Sequence, residues 1–344
     1  MEAKLTVIMP AYNAEKYIER SIASVLRQEG CRLELLVVND GSTDATADIV
    51  RAMAEKDGRL RLLTVANGGP AMARNHGLDA LDEGTDYVMF IDADDELLPG
   101  AVEYALAAAG KGAELVMFGF TILSADGGRR DYYEDELWLD KGTLGQALPR
   151  LYMANMLNQV WAKLFDARLL REHRLRFPDY RWGEDRLFIF DCLEKTEKVC
   201  VLPRCGYLYV MHPGESLITR YYDKKPEVCC LADARMQQLC EKFGTEDDAP
   251  CRYMFAKSIF SCITNLFSPS CPLSGSGKRA YVRAIINTPQ VLQRCRGAFG
   301  GISVKALCLV LRSRTVWLNM LAFRAVALVS EVLPGLFMAL KHKK

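Results

Sequence analysis

The chain has 344 residues, half of them hydrophobic and a quarter charged, which leaves room for one large domain with extensions or for two domains. Its formal net charge of +1 excludes an overall electrostatic attraction to nucleic acid. "MEAKLTVIMPAYN" has neither the basic start nor the apolar core of a signal peptide, and no run of about 18 uncharged apolar residues marks a membrane span, so a cytoplasmic protein is expected.

In chain order, Leu5–Pro10, Leu33–Asp40, Leu60–Val65 and Tyr87–Asp95 read as strands. Their near-continuous Val, Ile and Leu content predicts burial on both faces, and therefore a parallel sheet. Helices are predicted between them at Glu15–Arg27, Asp44–Lys56 and Pro70–Leu81. Asn13 is positioned to cap the first, Ser42 or Thr43 the second, and Pro70 to open the third. The alternation implies an α/β sheet with right-handed crossovers.

A helix is expected over Pro99–Ala109 and a strand over Glu114–Phe120, followed by a hairpin-like turn at Ser124–Asp131. Leu144–Met156 reads as helix, Asn158–Phe165 as strand, and Val199–His212 as paired strands. From about Tyr222 the pattern is helical, interrupted by a loop at Ser268–Lys278. The twelve cysteines include no C-x-x-C pair and are expected to be reduced, buried small hydrophobes.

Ligands in open α/β sheets bind beyond the carboxyl ends of the strands. There the chain carries Pro10-Ala11-Tyr12-Asn13, Asn39-Asp40, Asn67-Gly68-Gly69-Pro70 with Arg74 beyond it, and Asp92-Ala93-Asp94-Asp95. Three carboxylates within four residues repel one another and are costly to desolvate, so they form either a solvated turn or a site for a cation. Magnesium or manganese suits them, as a hard ion shared with substrate phosphates. Asp95 alone reads equally well as the approach to the helix at Pro99. Neither G-x-G-x-x-G nor G-x-x-x-x-G-K-[ST] is present, so a phosphate held through a metal remains the natural option.

"VIMPAYNAEKYIERSIASVLRQ", "ELLVVNDGSTDAT", "NGGPAMARNHGL", "YVMFIDADDELLPGAVE" and "RWGEDRLFIF" together resemble the family-2 glycosyltransferases of the GT-A fold. The resemblance spans roughly Leu5 to Ser216. It implies a Rossmann-like, mostly parallel sheet flanked by helices over residues 1–220. A helical extension over 221–301 and a basic amphipathic tail over 302–344 follow.

It also implies roles for particular residues. Pro10, Ala11, Tyr12, Asn13 and Asp40 match positions that hold the nucleotide of a UDP-sugar, and Arg74 one near the base and phosphates. Asp92 and Asp94 match a D-x-D pair, the first toward ribose and the second toward Mn2+ or Mg2+. Asp185 takes the place of the catalytic base, with Glu184 beside it. Lys163, in "VWAKLF", matches a stretch near the donor sugar.

Trp182 is a candidate for stacking on a sugar, whereas Trp161 reads as core. His212 is a candidate for the diphosphate or the metal, or equally a surface histidine. The first turn of a helix would by itself favour Glu184 and Asp185 through the dipole. The implied activity is transfer of a sugar with inversion, in one in-line displacement, from a nucleotide-sugar donor to a glycan or lipid-linked acceptor in surface-polysaccharide synthesis. A D-x-D phosphatase would need its motif after the first strand, and a silent binding protein would lack Asp94 or Asp185.

From Lys305 onward seven Lys and Arg residues face only Glu331 among apolar residues. That composition suits contact with an anionic membrane surface at the inner face of the cell membrane. A helical cap or a dimer interface would show the same pattern.

Overall fold

The computed structural model describes residues 2–212, 221–297 and 300–332. Within them the chain forms two compact units, one built from residues 2–147 and 154–212 and the other from 148–153 and 221–332.

The first unit is organised on one sheet. Its strands are β1 (Lys4–Ala11), β2 (Arg32–Asp40), β3 (Leu60–Val65), β4 (Tyr87–Phe90), β5 (Glu96–Leu97), β6 (Leu115–Leu123), β7 (Arg129–Tyr132), β8 (Leu137–Asp140), β9 (Lys163–Asp166) and β10 (Lys198–Val210). The order across the sheet is β3-β2-β1-β4-β9-β6-β10-β5, with β7 on β6 and β8 on β10. β1, β2, β3 and β4 are parallel neighbours, as the apolar runs predict, and β6 and β10 are parallel to each other. The short β9 lies antiparallel between β4 and β6.

The connecting helices are α1 (Ile18–Leu26), α2 (Thr46–Ala54), α3 (Pro70–Asp79), α4 (Ala101–Ala109), α5 (Leu144–Met153), α6 (Ala167–Glu172) and α7 (Glu184–Lys195). Spacing explains their packing. On α1, Ile18, Ile22 and Val25 fall on one face and are fully buried, each burial contributing about 1.5–3 kcal/mol. Helix α3 lies so close to β1 that a Cβ at Gly77 would sit 2.5 Å from Ile8 Cγ2. Gly77→Ala is therefore expected to cost about 1–3 kcal/mol of stability, read as a lowered denaturation midpoint. It would also disturb the helix that carries Arg74.

Several boundaries differ from the sequence reading. Helix α1 begins at Ile18, and Asn13 does not cap it. Asn13 has φ of 49° and joins two loops: its Oδ1 accepts from Thr43 N–H (2.9 Å) and its N–H donates to Ser42 Oγ (3.1 Å). At the start of α2 it is Asp44 that accepts from Thr46 N–H (3.0 Å), in place of Ser42 or Thr43. Of the expected strand Asn158–Phe165, only the segment from Lys163 pairs. The expected pair of strands over Val199–His212 is the single strand β10. Pro203 lies within the irregularity between Leu202 and Cys205, where a bulge absorbs the missing N–H, and a second irregularity follows between Cys205 and Tyr207.

The second unit contains α8 (Lys225–Lys242), α9 (Ala249–Thr264), a 3-10 turn (Asn265–Phe267), α10 (Gly275–Asn287), α11 (Pro289–Arg294), α12 (Ile302–Arg312) and α13 (Val316–Val332). Helices α8, α11, α12 and α13 all pack on α9. Cys229 and Cys262 are in contact through their sulfurs (3.8 Å), as are Cys240 and Cys251 (4.0 Å), and all four are buried, as expected. Among the described residues no helix is long and apolar enough to cross a membrane. The Lys341–Lys344 cluster and the Pro213–Ser216 stretch lie outside the described residues.

Candidate active site

The carboxyl ends of the parallel strands converge, as the pattern requires. At the end of β2, Asp40 is buried and accepts from the N–H groups of Gly68 (2.7 Å) and Gly69 (2.9 Å). Asn67 donates to the Asp40 carbonyl (2.9 Å). These bonds fix the Asn67-Gly68-Gly69 loop and with it the start of α3 at Pro70. Beside them Tyr12 is half exposed, whereas Ala11 is buried and Pro10 is partly covered.

Arg74 projects from α3 into a cluster of three acids gathered from two segments, the turn after β4 and the start of α7. Its Nη2 donates to Asp92 Oδ1 (2.8 Å), and its Nη1 to Asp185 Oδ1 (2.7 Å) and Glu184 Oε1 (3.2 Å). Only 3% of the residue is exposed, so its charge is spent on these carboxylates rather than offered to a phosphate. Their proximity raises its already high pKa despite the burial. One cation does not offset three acids where burial penalises the charged forms. Burial first, and then Asp185, push Glu184 up to about 7. Burial likewise raises Asp185 against the pull of Arg74.

Glu184 and Asp185 form the first turn of α7, where the helix dipole favours carboxylates. Gly183 precedes them with φ of 81°, a backbone state that a side chain would strain. The other oxygen of Asp185 accepts from Val160 N–H (3.3 Å). That backbone segment is in turn held by Lys163, whose Nζ donates to the carbonyls of Gln159 (2.7 Å) and Trp161 (3.3 Å). Lys163 is 1% exposed, and burial lowers its pKa to about 7. It therefore organises the loop behind Asp185 instead of reaching an open donor pocket.

The acidic turn after β4 divides into unlike members. Asp92 receives Arg74, and its N–H donates to Tyr207 Oη (3.1 Å). Asp95 is completely buried. It accepts from Tyr207 Oη (2.7 Å) and Val210 N–H (2.8 Å), and burial followed by the charges of Asp94 and Asp92 raises its pKa far above the usual range. The expectation that Asp95 approaches the next helix is corrected: α4 begins only at Ala101, and Asp95 anchors the turn to β10. One hydroxyl, that of Tyr207, thus bridges both ends of the acidic turn. Tyr207→Phe is expected to cost about 1–3 kcal/mol by unpairing buried groups, measured by chemical denaturation.

Asp94 is the most open of the three, with 43% of its side chain exposed. Its Oδ2 lies 3.7 Å from His212 Nε2, too far for a hydrogen bond. That nitrogen is buried and has no hydrogen-bond partner among the described residues. The His212 ring stacks on Tyr17 at 4.0 Å, which fixes its direction. An orphaned imidazole nitrogen facing a carboxylate fits a divalent cation between them. Among the described residues no three His, Cys, Asp or Glu side chains gather for a metal. Such an ion would accordingly take its remaining ligands from substrate and water, as magnesium commonly does.

The tryptophans separate. Trp161 is core, stacked on Tyr207 (4.5 Å) and Tyr209 (5.7 Å), as expected. Trp182 is half-buried with the Arg186 guanidinium over its ring at 5.6 Å. The sequence reading missed Tyr17 and Tyr207. The alternation Tyr207-Leu208-Tyr209 on one strand, which puts both rings on one face, was the available signal for the second.

The fold and site define an α/β protein with a cluster of acids beyond the carboxyl edge of a mostly parallel sheet. Residues 6–169 match the model of glycosyl transferase family 2. The chain is 32% identical to the uncharacterized glycosyltransferase EpsJ of Bacillus subtilis, over 61% of this chain and 62% of that one. It is 31% identical to an uncharacterized glycosyltransferase of Haemophilus influenzae over 56% of this chain and 73% of the relative. It is also 34% identical to the succinoglycan biosynthesis protein ExoO of Rhizobium meliloti, over 61% of each. The match thus spans about three fifths of EpsJ and of ExoO. In structure it resembles residues 1–349 of Staphylococcus aureus TarS in complex with UDP-GlcNAc, with a TM-score of 0.67 and 19% identity over 95% of this chain and 91% of that one. The chain belongs to glycosyl transferase family 2 and has the GT-A fold.

Proposed function

We propose that this chain is an inverting, metal-dependent glycosyltransferase. It takes a sugar from a UDP-sugar and passes it to a hydroxyl of a lipid-linked glycan in surface-polysaccharide synthesis, at the inner face of the cell membrane. The observation that carries the reading is the junction of Asp92, Glu184 and Asp185 on one buried guanidinium, from positions some 90 residues apart. ExoO, named for succinoglycan biosynthesis, and TarS, solved with UDP-GlcNAc, support the substrate classes.

Asp185 accepts the proton of the acceptor hydroxyl as that oxygen attacks. Its raised pKa makes it a stronger base than an exposed aspartate, and Arg74 and Val160 N–H hold it in place. Tyr12 offers an exposed ring for the base, and Trp182 a ring for the sugar. Asp94 and His212 would hold Mn2+ or Mg2+, which supplies charge neutralisation at the leaving diphosphate. Asp92 is held by Arg74, which joins the acidic turn to Asp185.

Lys163 acts through the loop it holds. Lys163→Met is expected to lower kcat with little change in KM, because Asp185 loses a fixed partner. It also tests a pH linkage. The folded-state pKa of Lys163 is lowered from 10.5 to about 7. The unfolded chain therefore binds the extra proton between these values, and this residue makes stability rise with pH across that window. The difference in unfolding free energy between wild type and Lys163→Met should grow from pH 7 to pH 10 in favour of the wild type. A constant difference would refute a buried, neutralised amine.

The direct test of the function is release of UDP from a panel of UDP-sugars, with and without Mn2+. Metal-dependent release with at least one donor is expected. Release that ignores the metal would sink the metal role, and none with any nucleotide sugar would sink the activity.

A further inference from the structure

The last two helices carry exposed apolar faces. On α13, Trp317, Leu321, Arg324 and Leu328 recur at helical spacing on the outer side, with exposures of 68%, 62% and 49% for the three apolar residues. The opposite face, Asn319, Phe323 and Ala327, is buried, and Phe323 packs on Phe260 of α9. On α12, Ile302 and Leu309 are likewise exposed beside Lys305 and Arg312. From Ile302 to Ser330 the sequence contains four basic residues and no acidic one.

A cleft of about 410 Å³ opens beside this face, lined by Phe267, Lys278, Met320, Arg324, Ala327 and Leu328. Its chemistry is two cations set in apolar walls. Lys278 comes from α10, with its ammonium over the Phe267 ring at 5.8 Å, and Arg324 comes from α13. Among the described residues neither has a carboxylate partner. Two cations with no carboxylate partner among the described residues, set beside apolar walls, fit an anion that brings its own apolar body.

We propose that this cleft seats the phosphate headgroup of an anionic phospholipid, while Trp317, Leu321 and Leu328 enter the same leaflet. The proposal rests on the reading that the C-terminal region meets a membrane, and it makes one recess the source of lipid selectivity. Tryptophan suits the interfacial layer, and long basic side chains can keep their stems in apolar surroundings while their charges meet headgroups. Each basic residue near an anionic surface adds to the attraction.

Co-sedimentation of the full chain with vesicles tests it. Wild type should bind vesicles of phosphatidylcholine with phosphatidylglycerol much more tightly than phosphatidylcholine alone. Lys278→Glu with Arg324→Glu should weaken anionic binding roughly tenfold or more. Lys305→Glu with Arg312→Glu, which makes the same change in charge outside the cleft, should weaken it distinctly less. Equal losses in the two double variants would overturn the cleft while leaving membrane contact intact. Absence of wild-type binding to either vesicle would overturn both. UDP release in vesicle-free buffer reads the transferase independently of these outcomes. Thermal midpoints of the variants, and the milder pair Lys278→Gln with Arg324→Gln, separate loss of binding from loss of fold.

Discussion

Asp185→Asn is expected to lower the transfer rate by about 10²–10⁴-fold, the range that a positioned general base contributes. The substitution keeps the size of the side chain and its capacity to accept from Val160 N–H, so the loop should stay in place. It removes the carboxylate that receives the proton. Binding of UDP and metal depends on other residues in the proposed site and should change by only a few-fold. A pH profile adds a second constraint. Burial holds the Asp185 pKa above the ordinary aspartate value, so activity should rise with pH along a limb displaced upward from that of an exposed acid. Asp185→Asn should erase this limb. Full activity in the variant would remove Asp185 from the role of base.

Arg74→Met is expected to be the most destabilising single change in the site, by about 3–5 kcal/mol, the cost of breaking a buried ion pair from one side. The reason is counting of charge. Arg74 is the cation shared by Asp92, Glu184 and Asp185, and without it three acids face one another, two of them largely buried. The variant should recover stability at low pH, where the acids take up protons. The sign follows from Glu184. Its folded-state pKa is raised from 4.5 to about 7, so the stability it contributes is present below 4.5 and lost as pH rises through 7. Losing Arg74 should steepen that loss. Denaturation midpoints at pH 5 and pH 8 read it. Equal destabilisation at both would contradict the charge argument.

The parts of the fold legible in sequence are those fixed by local pattern. Four apolar runs became β1 to β4 in the expected order, and helix starts were found within a few residues, because periodicity and turn residues act over short distances. Pairing across the sheet was not legible. In sequence Asp95 suits the approach to the helix at Pro99 as well as it suits the acidic turn. It is buried because β10 delivers Tyr207 and Val210 to it from more than 110 residues downstream. The segment Asn158–Phe165 has the composition of a strand. Its first half does not pair, since Ala162 adopts φ of 57° and Lys163 draws the carbonyls of Gln159 and Trp161 inward.

The same limit applies to the site. The residue types were found, but not which cation meets which acid. In sequence Arg74 suits a base or a phosphate, and only the folded chain brings Glu184 to it from 110 positions away. Lys163 was read as a donor contact, and its burial is decided by the strands around it. His212 was ambiguous as a lone histidine. Its stacking on Tyr17 and its approach to Asp94 come from separate segments of the chain.

The proposed nucleotide-sugar site is completed by a metal at Asp94. A thermal-shift titration of UDP-, GDP- and dTDP-sugars, with and without Mn2+, tests it most directly, since a ligand that binds the folded state raises stability by mass action. A rise in Tm with a UDP-sugar that requires Mn2+ and disappears in Asp94→Ala is expected. A shift with a GDP- or dTDP-sugar alone would contradict the donor, and a shift independent of Mn2+ and of Asp94 would contradict the metal site.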